Sequence, residues 1–417
     1  MKKLVIEGCK DISGTIKISG AKNSIVALIP ASILTNGKCV ITNVPDISDV
    51  RILIDMMKEL GSIITFENET ITIDNCKVQN KKITEEYASK LRASYYFMGS
   101  LIGKYHEAEI AYPGGCVIGS RPINYHIESF KKMGINVKNV DDHYIMKTDE
   151  LKGNEFYFDF PSVGATINIM LAAVLAKGKT IIYNAAKEPE IANVASFLNS
   201  MGAKVFGAGT STIEITGVEE LHDGFVEVIP DRIEAGTYIM IGALIGNNLK
   251  IENIIEKHLE SLLYKLKEAG VKYEIKDNSI TLSRVEHLKP VNIKTTVYPG
   301  FPTDLGQPMS TFLTQCEGES LFEETIYENR LRHVPHLNSM GAKIQAFDKK
   351  AIISGKTPLI GRKVKATDLR AGASMLVAGL IADGTTEIQN IEHLLRGYER
   401  IVEKLESVGV NIKLIDE

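Results

Sequence analysis

Leu198-Asn199-Ser200-Met201-Gly202 and Leu337-Asn338-Ser339-Met340-Gly341 are the same five residues met twice in a chain of 417. Each closes a helix-like pattern on glycine, and each runs on into alternating residues, Ala203-Lys-Val-Phe and Ala342-Lys-Ile-Gln. A glycine just past a helical segment suits the left-handed C-cap, where a Cβ is costly. The alternation that follows predicts an edge or half-buried strand. The pattern recurs at Met57-Lys-Glu-Leu-Gly61, Phe130-Lys-Lys-Met-Gly134, Leu266-Lys-Glu-Ala-Gly270 and Leu405-Glu-Ser-Val-Gly409. Successive glycines lie 73, 68, 68, 71 and 68 residues apart, a spacing too regular for six unrelated hairpins.

About 40 residues upstream of each glycine stands a second signature. It is a strand, a polar turn and a helix of small apolar residues. The six starts are Gly20-Ala-Lys22-Asn23, Leu91-Arg92-Ala-Ser94, Ser162-Val163-Gly164-Ala, Asp231-Arg232-Ile-Glu234, Pro302-Thr-Asp304-Leu and Asp368-Leu-Arg370-Ala. Residues 169–176, 238–245 and 373–381 are apolar almost all round. A helix without a polar face belongs inside something, so sheets are expected to surround it. Six units predict an α/β fold of two pseudo-threefold domains. The expected division is 1–21 plus 230–417 for one discontinuous domain and 22–229 for an inserted one.

Helix starts carry unpaired N–H groups and partial positive charge, so they favour anions. Lys22, Arg92, Arg232 and Arg370 stand at such starts, with the carboxylates Asp304 and Asp368. If the starts share one cleft, they form a cationic site for a phosphate-bearing substrate. The chain as a whole is acidic, with net charge −4 and pI near 6.2, which argues against general nucleic-acid binding. No apolar run reaches the length of a bilayer span, and no secretory signal is visible, so a cytoplasmic protein is expected. Five scattered cysteines (Cys9, Cys39, Cys76, Cys116, Cys316) form neither a metal-like pair nor a disulfide framework. His333-Val-Pro-His336 has helical spacing but an internal proline and no third ligand, so no metal is expected.

One loop remains, Tyr112-Pro-Gly-Gly-Cys116-Val-Ile-Gly-Ser-Arg121-Pro122. Its glycines allow a turned or mobile backbone, and the nearby Arg121 favours the reactive thiolate of Cys116.

This loop resembles the active-site loop of the UDP-N-acetylglucosamine enolpyruvyl transferase family, and the likeness extends end to end. It includes Gly20-Ala-Lys-Asn23, Leu91-Arg-Ala-Ser94, Ser162-Val-Gly-Ala-Thr166, Glu188-Pro-Glu-Ile191, Pro230-Asp-Arg-Ile-Glu234, Phe301-Pro-Thr-Asp304, Tyr327-Glu-Asn-Arg330, Ala366-Thr-Asp-Leu-Arg370 and Arg396-Gly-Tyr-Glu-Arg400. The resemblance implies a pair of inside-out α/β barrels. It also implies transfer of the enolpyruvyl group of phosphoenolpyruvate to the 3-hydroxyl of UDP-N-acetylglucosamine, the first committed step of peptidoglycan synthesis. No cofactor and no obligate protein partner are implied.

By the same resemblance Cys116 is the loop acid and Asp304 takes the hydroxyl proton. Lys22, Arg121 and Arg396 hold phosphoenolpyruvate, with Arg92 and Arg370 nearby, and Asn23 supports the intermediate. The nucleotide sugar falls to Arg121, Pro122, Ile123, Asn124, Tyr125, Ser162, Val163, Gly164, Asp304 and Ile326, and His126 is expected to steady that segment. Three residues depart from the family pattern: Asn124 and Phe160 each put one substrate contact in doubt, and Gly306 is expected to loosen the helix start that orients Asp304. The sister family acting on shikimate 3-phosphate lacks the Pro-Gly-Gly-Cys loop. A catalytically silent UDP-sugar binder would have little reason to keep Lys22, Cys116, Asp304 and Arg396 together. The resemblance predicts that the epoxide phosphonate fosfomycin alkylates Cys116. Intact-mass measurement under saturating UDP-N-acetylglucosamine should find one adduct, which Cys116→Asp abolishes; an unmodified wild-type mass would contradict the assignment.

Overall fold

All six cap glycines (Gly61, Gly134, Gly202, Gly270, Gly341 and Gly409) have positive φ, between 90° and 108°, in a computed structural model that describes residues 2–114 and 123–416. After each glycine, the next N–H donates to the carbonyl five residues back. The pairs are Ser62 to Met57, Ile135 to Phe130, Ala203 to Leu198, Val271 to Leu266, Ala342 to Leu337 and Val410 to Leu405, at 2.9 to 3.1 Å. This is the Schellman closure, which satisfies carbonyls that the helix end would otherwise leave bare. The repeated asparagine adds a clasp. Asn199 donates to the carbonyl and accepts from the N–H of Val205, both at 2.8 Å. Asn338 does the same to Ile344, at 2.9 and 3.0 Å. Each clasp fixes where the following strand departs.

The chain divides into two compact units, one of residues 2–19 and 230–416, the other of residues 20–114 and 123–229. Each has three sheets and three buried helices. In the first unit the helices are Arg232–Ile245, Thr303–Leu313 and Leu369–Ile381, packed on one another. In the second they are Lys22–Ala31, Tyr96–Tyr105 and Val163–Ala173. Every residue from Arg370 to Leu380 is buried, and so is every residue from Ala165 to Ala173. The helices lie inside and the sheets outside, as the missing polar faces require. The expected apolar stretch 169–176 is helical only to Ala173.

Among the described residues, five sheets have four strands and follow one plan. A short strand runs parallel to the first strand of an antiparallel set, as Thr15–Lys17 does beside Leu249–Glu252. The sixth sheet has three strands, and its parallel partner shrinks to a bridge between Ile83 and Ile110. That sheet leads to the Cys116 loop, whose first leg is held by the Gly114 N–H on the Ala88 carbonyl. The outer helices are one-sided, as Ser48–Glu59 shows by burying Val50, Leu53, Ile54, Met56 and Met57.

Glycine also sets the distance between inner helices. A Cβ on Gly99 would stand 2.5 Å from the Asn168 carbonyl oxygen, and one on Gly103 would stand 2.9 Å from that of Leu171. Helices Tyr96–Tyr105 and Val163–Ala173 thus approach backbone to backbone. The cap assignment is tested at Gly409, where an added Cβ meets nothing within 4 Å. Gly409→Ala therefore isolates the backbone strain and should cost about 1–2 kcal/mol. Urea unfolding should show a lower midpoint at unchanged m, and an unshifted midpoint would contradict the cap.

Candidate active site

Helix Thr303–Leu313 has no side-chain cap, and Asp304 stands in its first turn. Asp304 Oδ1 accepts from Arg330 Nη2 at 2.5 Å, and Oδ2 accepts from Arg370 Nη2 at 2.7 Å. Both arginines are buried, whereas the Asp304 side chain keeps 25% of its surface open. Burial would lower the Arg370 pKa, but the Asp304 carboxylate and nearby Tyr398 and Asp231 raise it beyond its ordinary value.

Asp368 supports this pair from the next helix. It caps Leu369–Ile381 by accepting from the N–H of Arg370 at 2.9 Å and of Ala371 at 3.2 Å. Its carboxylate lies 3.8 Å from Arg330 Nη1. Gln307 donates to the Arg330 carbonyl at 2.8 Å and to Asp368 at 3.3 Å. Such paired and hydrogen-bonded burial is the condition under which charge is tolerated inside a protein. Gly306, in the same helix start, packs under Phe322, whose Cζ would stand 2.8 Å from a Cβ there.

Glu324 joins Asp304 to Ile326. Four of the long strands end on an asparagine with positive φ, namely Asn43, Asn184, Asn253 and Asn390. Three of these donate to a carbonyl of the parallel neighbour, each at 2.7 Å. At the matching position after Gly318–Glu323 stands the buried Glu324. It accepts from Thr303 Oγ1 at 2.8 Å and from the N–H groups of Ile326 and Tyr327 at 2.7 and 3.2 Å. One carboxylate thereby fixes the helix start beside Asp304 and the segment that carries Ile326 and Arg330.

In the second unit Lys22 opens helix Lys22–Ala31 and pairs at 2.9 Å with the buried Asp49. Asn23 is the next residue of that helix. Arg92 opens the short 3₁₀ turn Arg92–Tyr95 ahead of helix Tyr96–Tyr105. Ser162 caps helix Val163–Ala173 by accepting from the Ala165 N–H at 3.3 Å. Ile123 and Asn124 open helix Asn124–Lys132, and Tyr125 stacks at a tilt on Phe158 with ring centroids 5.3 Å apart. His126, from the same helix, lies against Gly164. Phe160 is exposed.

The residues expected from the sequence thus group within each unit. Asp304 and Arg370 touch, and Ile326 is tied to their helix start. Ile123 to Tyr125 share a helix entrance, and Ser162 to Gly164 share another. Arg396 ends the short helix Glu392–Leu395. Cys116, Arg121 and Pro122 lie outside the described residues. Sequence reading missed Arg330, Asp49, Gln307 and Glu324 as site residues. Only Glu324 left a signal, as the acidic residue where other repeats carry asparagine. Of the histidine pair, His333 is buried and its pKa is pushed down to about 4, chiefly by that burial.

Residues 6–405 match the family model described as EPSP synthase (3-phosphoshikimate 1-carboxyvinyltransferase). The chain is 50% identical over 410 residues to UDP-N-acetylglucosamine 1-carboxyvinyltransferase 2 of Listeria monocytogenes, covering 98% of this chain and 97% of the relative. It is 50% identical over 413 residues to the protein of the same name from Bacillus anthracis, covering 99% and 96%. Among solved structures, the enolpyruvyl transferase NikO from Streptomyces tendae superposes with a TM-score of 0.88 at 24% identity, over 99% of both chains. EPSP synthase from Acinetobacter baumannii superposes with a TM-score of 0.77 at 18% identity, over 100% of both chains. At those identities the two structures speak for the fold.

Arg330→Met would remove one of the two guanidiniums that hold Asp304 and the one that faces Asp368. Removing one partner from a buried charge network costs about 3–5 kcal/mol. Adding Asp304→Asn should return part of that loss in a double-mutant cycle read by denaturant unfolding, and strictly additive effects would show that the pair is not coupled.

Proposed function

This chain belongs to the EPSP synthase family, and within it to the UDP-N-acetylglucosamine 1-carboxyvinyltransferases, and from that premise we propose its reaction and the part each residue plays. The enolpyruvyl group of phosphoenolpyruvate passes to the 3-hydroxyl of UDP-N-acetylglucosamine, and phosphate is released. The hydroxyl oxygen bonds to C2 of phosphoenolpyruvate as C3 takes a proton, and the C2–O bond to phosphate then breaks as C3 loses a proton. The product is an enolpyruvyl ether, which commits the sugar to peptidoglycan synthesis.

The observation that carries this reading at the residue level is the Asp304 carboxylate, partly open and steadied by two buried guanidiniums. Held by those two guanidiniums and still partly open, it is built to take a proton from a hydroxyl while its own position stays fixed. Cys116 is assigned as the acid for the methylene carbon. Lys22, Arg121 and Arg396 take the carboxylate and phosphate of phosphoenolpyruvate, with Arg92 and Arg370 adding positive charge where negative charge develops. The Lys22–Asp49 pair supports this role by holding the ammonium at the head of its helix. Asn23 steadies the intermediate, while Arg121, Pro122, Ile123, Asn124, Tyr125, Ser162, Val163, Gly164 and Ile326 receive the nucleotide sugar. No metal or cofactor enters this scheme, and the enzyme is assigned to the cytoplasm, where both substrates are made. Among the described residues no helix is long and apolar enough to cross a membrane.

Phosphate release from phosphoenolpyruvate tests the reading. UDP-N-acetylglucosamine should support turnover and shikimate 3-phosphate should not, and the reverse preference would overturn the substrate assignment. Asp304→Asn should lower kcat by about 10²–10⁴-fold, the usual worth of a positioned acid–base group, in protein that circular dichroism shows to be folded at the assay temperature.

A further inference from the structure

Asn168 lies in the middle of helix Val163–Ala173, where an amide has no ordinary business, and it is fully buried. Its Oδ1 accepts from the Gly99 N–H at 2.9 Å, and its Nδ2 stands 2.9 Å from His126 Nδ1. The direction of both bonds follows from chemistry. A backbone N–H can only donate, so the atom facing Gly99 is the amide oxygen. The amide nitrogen can only donate, so His126 Nδ1 must present its lone pair. The ring proton therefore sits on Nε2. The close approach that exposes the Gly99 N–H to Asn168 is the one that the missing Cβ of Gly99 permits.

The other edge of the ring faces the start of the same helix. A Cβ on Gly164 would stand 2.9 Å from His126 Cε1, 3.0 Å from Nε2 and 3.0 Å from the Tyr95 hydroxyl. Tyr95 meets the ring edge-on, with centroids 5.1 Å apart. Among the described residues the ring's hydrogen bonding is at Nδ1 alone. His126 is 4% exposed, and its Nε2–H edge is held beside the first turn of an eleven-residue helix. Burial first, and then the Arg92 charge, push the ring's pKa down to about 3.

Donor edge, helix start and neighbouring guanidinium all favour an anionic oxygen. We propose that Asn168 is a positioning residue that locks His126 as a neutral Nε2–H donor to a phosphate oxygen of the nucleotide sugar at the start of helix Val163–Ala173. This rests on the reaction proposed above and adds to it a residue pair that fixes the acceptor substrate without charge. A neutral donor keeps its hydrogen bond through the pH range in which an ordinary histidine would gain a proton and lose its fixed tautomer.

The test uses the full-length enzyme labelled with ¹⁵N-histidine, with UDP-N-acetylglucosamine and UDP as probes. The His126 signals, identified by their loss in His126→Gln, should show the Nε2–H tautomer and should move on addition of UDP. Losing a hydrogen bond to a charged group weakens binding about 10–100-fold. His126→Asn, which keeps the Nδ1-side contact but not the far donor, should raise KM for UDP-N-acetylglucosamine by that factor. That rise should exceed any fall in kcat at least tenfold and leave KM for phosphoenolpyruvate alone. His126→Gln, whose amide reaches the Nε2 position, should recover most of the loss. If His126→Asn does not fold, Asn168→Asp serves instead: its carboxylate must accept from the ring, so a ring that the ¹⁵N shifts show neutral carries its proton on Nδ1 and should show the same KM defect, whereas a charged ring keeps the Nε2–H and should bind UDP-N-acetylglucosamine at least as tightly. An Nδ1–H or doubly protonated ring in the wild type overturns the proposal, as does an unchanged KM in folded His126→Asn or in Asn168→Asp with a neutral ring, or a raised KM in Asn168→Asp with a charged ring. Wild-type enzyme that releases no phosphate with UDP-N-acetylglucosamine would instead overturn the underlying reaction and leave the tautomer result standing.

Discussion

A helix that is apolar on every side has only its two ends to offer to water. The inner helices of both units follow this closely, since burial is nearly continuous along Val163–Ala173, Arg232–Ile245 and Leu369–Ile381 and the charged residues of these three stand in their first turns. Chemistry is thereby confined to one kind of place. Lys22, Ser162, Asp304 and Arg370 stand at helix starts because nowhere else on those helices could a charge be solvated or reach a ligand. The helix start also helps hold anions through its bare N–H groups. Burying whole helices thus fixes both the location of the site and the sign of charge it prefers.

The fold was legible because its determinants are local. A cap glycine and the five residues before it form one continuous stretch, and the twin Leu-Asn-Ser-Met-Gly strings display the motif twice. The apolar helices were equally readable by composition. What sequence reading missed are partnerships between distant positions: Asp304 with Arg330, Lys22 with Asp49, Asn168 with both Gly99 and His126. Nothing in a linear string says which guanidinium a carboxylate will meet. The reason for a glycine at 306 is equally non-local, because Phe322, a neighbour in space only, fills the room that a larger side chain would need.

The repeats depart from one another where the chemistry is assigned. Strand ends that carry asparagine elsewhere carry Glu324 beside the Asp304 cluster, and the plan of parallel partner strands lapses in the sheet that leads to the Cys116 loop. A carboxylate in place of an amide trades one donor for additional acceptor capacity, and Glu324 uses it on a hydroxyl and two N–H groups together. Symmetry persists where it serves packing and lapses where the chemistry is proposed.

The first strand, Lys2–Glu7, lies between Thr385–Gln389 and Ile412–Asp416 in its sheet. During synthesis it leaves the ribosome ahead of the inserted unit, and both its neighbours follow only after that unit. The inserted unit has all its own residues in hand once position 229 has emerged, so vectorial synthesis lets it mature while the N-terminal segment still waits for its partners. Until the final strand arrives, the waiting segment exposes two unpaired edges, a hazard for misassociation. Its two lysines and one glutamate among six residues are the kind of charge that blunts such an edge.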